Sequence, residues 1–199
     1  MPTATETKKE VQKPSKNTLL NRLVISAIFI ALAIVLSNIK IYALPLGGAV
    51  TLLSMLPICL LSLKYGVKWG IVCAFLYSIA QIMLDLGSIM SWGLTVYTWI
   101  GCLLFDYLLP FTGLGLAGIF GKKNTGRIIA GISLVLVFRF ICHFISGAIV
   151  FAIWCPEGWN VYHYSIVYNG SYILPEMVMT IAAAIALFKV PATRNLLLD

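Results

Sequence analysis

The chain has 199 residues, of which 60% are hydrophobic and only 11% charged, with a formal net charge of +7. That balance is far too apolar for a water-soluble domain, and no polar stretch is long enough to build a second one. The positive charge falls in short segments between apolar runs, which marks it as a membrane-topology signal and argues against nucleic-acid binding.

Residues 1–17, rich in Lys, Thr, Ser and Glu, read as a disordered cytoplasmic segment. The first apolar run follows without a small-residue cleavage site, so no removable signal peptide is expected. Apolar runs then recur at Leu19–Ser37, Thr51–Leu63, Gly66–Leu86, Trp92–Phe120, Ile128–Trp154 and Val167–Val190. Most reach the ~20 residues that a bilayer crossing needs, whereas Thr51–Leu63 is short and must borrow flanking residues or run obliquely. The predicted fold class is an all-α integral membrane protein with six transmembrane helices in a single bundle. Its membrane domain spans 18–192, and a cytoplasmic tail follows at 193–199.

The cations orient this bundle. Lys8, Lys9, Lys13, Lys16, Arg22, Lys64, Lys68, Lys122, Lys123, Arg127, Lys189 and Arg194 flank alternate ends of the spans, while the opposite loops carry only Lys40. This asymmetry places both termini in the cytoplasm, in a multi-pass plasma-membrane protein. The five cysteines fall mostly inside spans and show no CxxC or Cys/His spacing, so they read as small apolar packing residues; no metal or cofactor is expected. Gly66, Gly70, Ala74 and Ser78 form a small-residue stripe suited to close packing within the bundle, and Ala27 and Ala31 share a similar face on the first span.

Ionisable groups inside spans are costly and point to function. Counting helix rise from the cytoplasmic ends puts Asp106, His143 and Glu176 within roughly 5 Å of one another in depth, with Arg139 one turn below His143. Arg139 needs an acidic partner, either Asp106 or Glu176. Arg139, His143, Gly147 and Phe151 repeat at i+4 and share a face, on which Gly147 leaves a gap for a flat ring. Tyr97, Trp99, Tyr107, Tyr164 and Tyr168 supply aromatic surface near Asp106, a combination that suits a cationic or heteroaromatic ligand. Asn169 offers a donor and an acceptor to the edge of a heterocycle. The first outer loop, Asn38–Val50, contains Pro45-Leu-Gly-Gly48 and is a candidate lid. There is no P-loop and no nucleophile motif, so neither ATP hydrolysis nor hydrolase chemistry is predicted.

Taken in order, certain segments resemble a known family. They are Pro45-Leu-Gly-Gly-Ala-Val50, Tyr65-Gly-Val-Lys-Trp-Gly70, Asp106-Tyr-Leu-Leu-Pro-Phe111, His143-x-Ile-Ser-Gly147 with Phe151, and Tyr164-Ser165 with Tyr168-Asn169. The chain resembles the thiamine-specific substrate-binding (S) components of bacterial energy-coupling-factor transporters. The resemblance implies a non-catalytic subunit that captures thiamine in an outward-facing pocket. Its partners would be a transmembrane coupling subunit and two ATPases that drive uptake. It implies that Asp106 faces the thiazolium, that His143 and Phe151 sandwich the ligand beside Gly147, and that Tyr164 and Asn169 hold the aminopyrimidine. Tyr107 would approach the remainder, Ser165 and Tyr97 are further substrate-binding candidates, and Tyr42 is the candidate counterpart of a tryptophan that relatives carry in the first outer loop. Ala27 and Ala31 resemble the AxxxA patch with which such subunits dock on the coupling subunit. Alternatives from the residues are an S component for another vitamin or a thiamine precursor, a small intramembrane enzyme, and a stand-alone proton-coupled carrier.

Overall fold

The computed structural model describes residues 16–198; the segment read as disordered therefore lies almost wholly outside the described residues. Helix α1 (Lys16–Asn38) leads into a two-stranded antiparallel hairpin, β1 (Lys40–Ala43) and β2 (Ala49–Thr51). The ten-residue α2 (Leu56–Tyr65) and the long α3 (Val67–Ser91) follow. The next span, α4 (Val96–Leu116), is continuous but not uniform, and α5 (Thr125–Ile149), α6 (Val161–Lys189) and α7 (Pro191–Leu198) complete the chain.

Among the described residues five helices, α1, α3, α4, α5 and α6, are long and apolar enough to cross a membrane. The second expected span is the short α2, which at ~1.5 Å per residue covers only about half a hydrocarbon core. It is nonetheless the most enclosed element, with Leu56 to Leu63 all buried. Glycines make that enclosure possible. A Cβ on Gly70 would lie 2.6 Å from Ser62 Cβ, and one on Gly118 would lie 2.7 Å from the Ser62 carbonyl oxygen. Ser62 Oγ donates to the Gly115 carbonyl at 2.5 Å and accepts from Gly118 N–H at 3.0 Å, so a buried hydroxyl ties α2 to the end of α4 and the turn beyond it with its polar groups satisfied. The stripe of Gly70, Ala74 and Ser78 is thus internal packing, while Gly66 at its end faces open space.

Polar caps begin the later helices as local chemistry requires. Thr95 accepts from Thr98 N–H, Asn124 from Arg127 N–H, and Asn160 from the N–H groups of Tyr162 and His163. Within α4 the residues Leu103–Leu108 widen into a π-helical turn. Pro110 explains the widening: it has no N–H for the Asp106 carbonyl four residues back, and its ring crowds that oxygen. Asp106 and Tyr107 lie inside this turn.

The first outer loop is more ordered than a connector. Tyr42 pairs with Val50 and Ala43 with Ala49, and the turn between them carries left-handed backbone at Leu46 (φ 65°) and Gly47 (φ 91°). Val50 is buried against Tyr172 and Ile173 of α6, which seats the hairpin on the bundle. Helix α7, Pro191–Leu198, takes in all but the last residue of the expected tail 193–199; its Leu197 is buried, and Arg194 reaches the Lys123 carbonyl.

Candidate functional site

Between the hairpin and α1, α3, α4, α5 and α6 lies a cavity of about 1020 Å³, counted to its open mouth. Its floor is built on Tyr77, Phe111 and Arg139. Tyr77 and Phe111 meet edge to face at 5.4 Å, and the Arg139 guanidinium carbon lies 5.3 Å from the Phe111 ring centre. Arg139 Nη1 donates to Glu176 Oε2 at 2.6 Å, which settles the partner that sequence left open. The other oxygen of Glu176 accepts from the Thr51 N–H at 3.3 Å and from the Thr51 hydroxyl, so β2 is tied to the same pair.

One turn above, Asp106 meets α5. Its Oδ1 lies 3.0 Å from His143 Nδ1, and its Oδ2 accepts from Ser146 Oγ at 2.5 Å. Of the three groups expected at a common depth, Asp106 and His143 are in contact, while Glu176 meets Arg139 instead. His143 Nε2 and the Tyr77 hydroxyl are buried without a protein partner among the described residues, and both side chains line the cavity. Polar atoms in that state call for a ligand or water to complete them.

At the mouth, Trp92 and Phe151 pack edge to face at 5.6 Å. The hairpin turn rests on them, since a Cβ on Gly47 would stand 3.1 Å from the Trp92 ring. Tyr168 locks the turn from the opposite side: its hydroxyl donates to the Pro45 carbonyl and accepts from Gly48 N–H at 3.2 Å. The candidate lid is thus a closed, hydrogen-bonded cover.

Of the residues singled out from sequence, Asp106, Tyr107, His143, Gly147, Phe151, Tyr164 and Asn169 all line this cavity. Ser165 lies behind it, buried in the α5–α6 seam with its hydroxyl on the Phe144 carbonyl at 2.8 Å. Gly147 plays a part different from the predicted gap. The space beside it is already filled by Ser165 Oγ and by Asn169 Nδ2, which would stand 2.9 Å from an added Cβ, so the glycine lets α6 approach α5. Asn169 is itself engaged, donating to the His143 carbonyl at 3.1 Å and accepting from the Tyr172 hydroxyl at 2.8 Å. Tyr42 and Tyr97 are not brought into the cavity. Tyr42 is 54% exposed on the hairpin, and Tyr97, one residue into α4, is 88% exposed.

Sequence reasoning found the α3 span but missed its contribution to the cavity. Tyr77, Gln81 and Asp85 recur at i+4 and all line the cavity, as does Trp92 just beyond the helix. Gln81 also donates to Ser37 of α1 at 2.8 Å. A polar residue at every helical turn of an otherwise apolar span was the available signal. Among the described residues no group of three or more His, Cys, Asp or Glu side chains is placed to hold a metal ion.

Fold and cavity together define a multi-helix membrane protein with a polar, aromatic-walled chamber. Residues 23–195 match the family model described as thiamine transporter protein (Thia_YuaJ), and the chain belongs to that family. It is accordingly a transport protein of the membrane and not an enzyme. It is similar to the thiamine transporter ThiT of Bacillus subtilis (strain 168), with 31% identity over 183 residues covering 85% of this chain and 91% of that one. Thiamine transporter ThiT of Lacticaseibacillus paracasei is 29% identical over 140 residues, covering 64% of this chain and 67% of the relative. Among solved structures, ThiT from Listeria monocytogenes superposes with a TM-score of 0.69 at 23% identity, covering 92% of this chain and all of that one, which shows a shared fold.

Proposed function

We propose that this protein is the thiamine-binding S component of an energy-coupling-factor importer, capturing the vitamin from outside the cell for uptake driven by partner subunits. The observation that carries the reading is the Asp106 carboxylate, held by His143 and Ser146 in the wall of a covered, aromatic cavity. Thiamine carries a permanent positive charge on a flat thiazolium ring, and a carboxylate among ring faces is the natural counter-charge for one. His143 Nε2 and the Tyr77 hydroxyl supply free polar atoms for its heterocycles. Tyr107, Phe151 and Tyr164 provide ring surface, while Asn169 takes part by exchanging one of its present hydrogen bonds. Ser165 and Gly147 act through the α5–α6 seam behind the wall.

Both termini are assigned to the cytoplasm from the cation asymmetry, which turns the hairpin outward. Ala27 and Ala31 lie exposed on α1, on a helix that also exposes Leu20, Ile28 and Val35. This uncovered face is the proposed contact with the transmembrane coupling subunit, which works with two ATPases. The decisive experiment is tryptophan-fluorescence titration of the detergent-purified protein with thiamine, without ATP. Saturable quenching at or below low-micromolar ligand is the expected result, and a flat response confirmed by calorimetry would overturn the reading. Ala27→Trp is expected to abolish cellular uptake while leaving that titration unchanged; lost binding would instead assign the face to internal packing.

A further inference from the structure

The cavity has a second carboxylate that the sequence reading passed over. Asp85 comes from α3, eight residues beyond Tyr77 and so about 12 Å nearer the mouth along the helix axis. Its Oδ2 accepts from the buried Tyr107 hydroxyl at 3.1 Å. Tyr107 is the chain neighbour of Asp106, so the two acids are linked across the α3–α4 interface through one side chain.

The two carboxylates differ in how far the protein has already satisfied them. Both oxygens of Asp106 accept, one facing His143 and one from Ser146. Asp85 accepts on Oδ2 alone; among the described residues no donor reaches its Oδ1, and the side chain lines the cavity. Of the cations lining the same space, Arg139 is answered by Glu176, and Lys40 on β1 is exposed. The chamber thus holds, besides Asp106, a second carboxylate with one oxygen that no protein donor reaches among the described residues.

We infer that Asp85 is a specificity-determining residue, whose free carboxylate oxygen favours the unphosphorylated cationic ligand and disfavours its phosphate ester. This rests on the thiamine reading above. A free alcohol can donate a hydrogen bond to Oδ1, and the ligand's positive ring is attracted to it. A phosphate monoester carries about −1.5 to −2 charges at neutral pH and offers mainly acceptors, so it meets Asp85 as a repelled group.

The test measures affinity for thiamine and for thiamine monophosphate in the wild type, Asp85→Asn and Tyr107→Phe. Asparagine keeps the size and an acceptor for Tyr107 but removes the charge. Phenylalanine removes the anchoring bond but leaves the charge. The expected result is a thiamine preference that narrows about tenfold or more in Asp85→Asn and stays within about twofold of wild type in Tyr107→Phe. Raising ionic strength with wild-type protein should narrow the preference in the same direction, a readout that needs no variant to fold. An unchanged ratio in Asp85→Asn, or equal narrowing in Tyr107→Phe, would overturn the inference and leave Asp85 as a structural anchor. A wild type that ignores thiamine altogether would refute the functional reading instead, so the two failures are distinct.

Discussion

Arg139–Glu176 and His143–Asp106 lie one helical turn apart on α5, each an acid facing a base, yet their surroundings differ. In the lower pair the side chains are only 8% and 1% exposed, and Glu176 has a donor on each oxygen, from Arg139 and from Thr51. In the upper pair the exposures are 9% and 16%, Asp106 lines the cavity, and His143 keeps a ring nitrogen without a partner. The same residue chemistry therefore serves two purposes. A closed pair fastens β2, α5 and α6 together, and an open pair faces the cavity, where the proposed ligand would supply a third charge.

The largest effect should come from opening the closed pair. Glu176→Gln leaves Arg139 buried without a counter-ion, and breaking one partner of such a pair costs about 3–5 kcal/mol. Thermal unfolding in detergent should show a large drop in stability, with binding lost only because the fold is compromised. Replacing both members with apolar residues, Arg139→Met with Glu176→Leu, should recover much of that stability, since the charge no longer needs an answer. A Glu176→Gln protein as stable as wild type would show that the lower pair is not a fastening.

Asp106→Asn should show the opposite pattern. Asparagine still accepts from Ser146, so unfolding should shift little, while thiamine binding weakens by about 2–5 kcal/mol, at least ~30-fold in Kd. Calorimetry on both variants is the check. Equal losses of stability, or equal losses of affinity in well-folded protein, would erase the distinction between the two pairs.

Part of the site was legible in the sequence, and the reasons for the rest are physical. Helix rise alone put Asp106 and His143 at one level, where they meet, because straight apolar helices in a bilayer turn residue counts into depth; Glu176, counted to the same level, instead meets Arg139 one turn below. The choice of partner for Arg139 was not legible. It depends on how far α5 and α6 are rotated about their axes, and Gly147 sets their close approach by leaving room for Ser165 and Asn169. The hairpin was missed because β1 and β2 are too short for alternation to show; its register rests on Tyr168, 120 residues from Gly48. The Tyr77–Gln81–Asp85 stripe went unread because apolar residues around it dominate the composition of α3.

The hairpin provides the next test, since it covers the open pair and is pinned by the closed one. A Cβ on Gly48 would stand 2.8–2.9 Å from Tyr172 and Tyr168. Gly48→Ala should therefore lift the turn at a cost of about 1–3 kcal/mol. Ligand dissociation should accelerate about tenfold or more, with a smaller change in association, as stopped-flow fluorescence would resolve. If dissociation is unchanged, the hairpin is not what retains the ligand.

The smallest effects should come from the two tyrosines that lie outside the cavity. Tyr97 is 88% exposed at the start of α4, and Tyr42, 54% exposed, does not line the chamber although its strand covers it. Tyr42→Ala and Tyr97→Ala should each change thiamine affinity by no more than about 0.5 kcal/mol, within about twofold. Should Tyr42→Ala instead cost tenfold, the hairpin must turn this ring inward when ligand arrives. The contrast between the two pairs would then need a third participant, a cover that supplies a wall of the site as well as closing it.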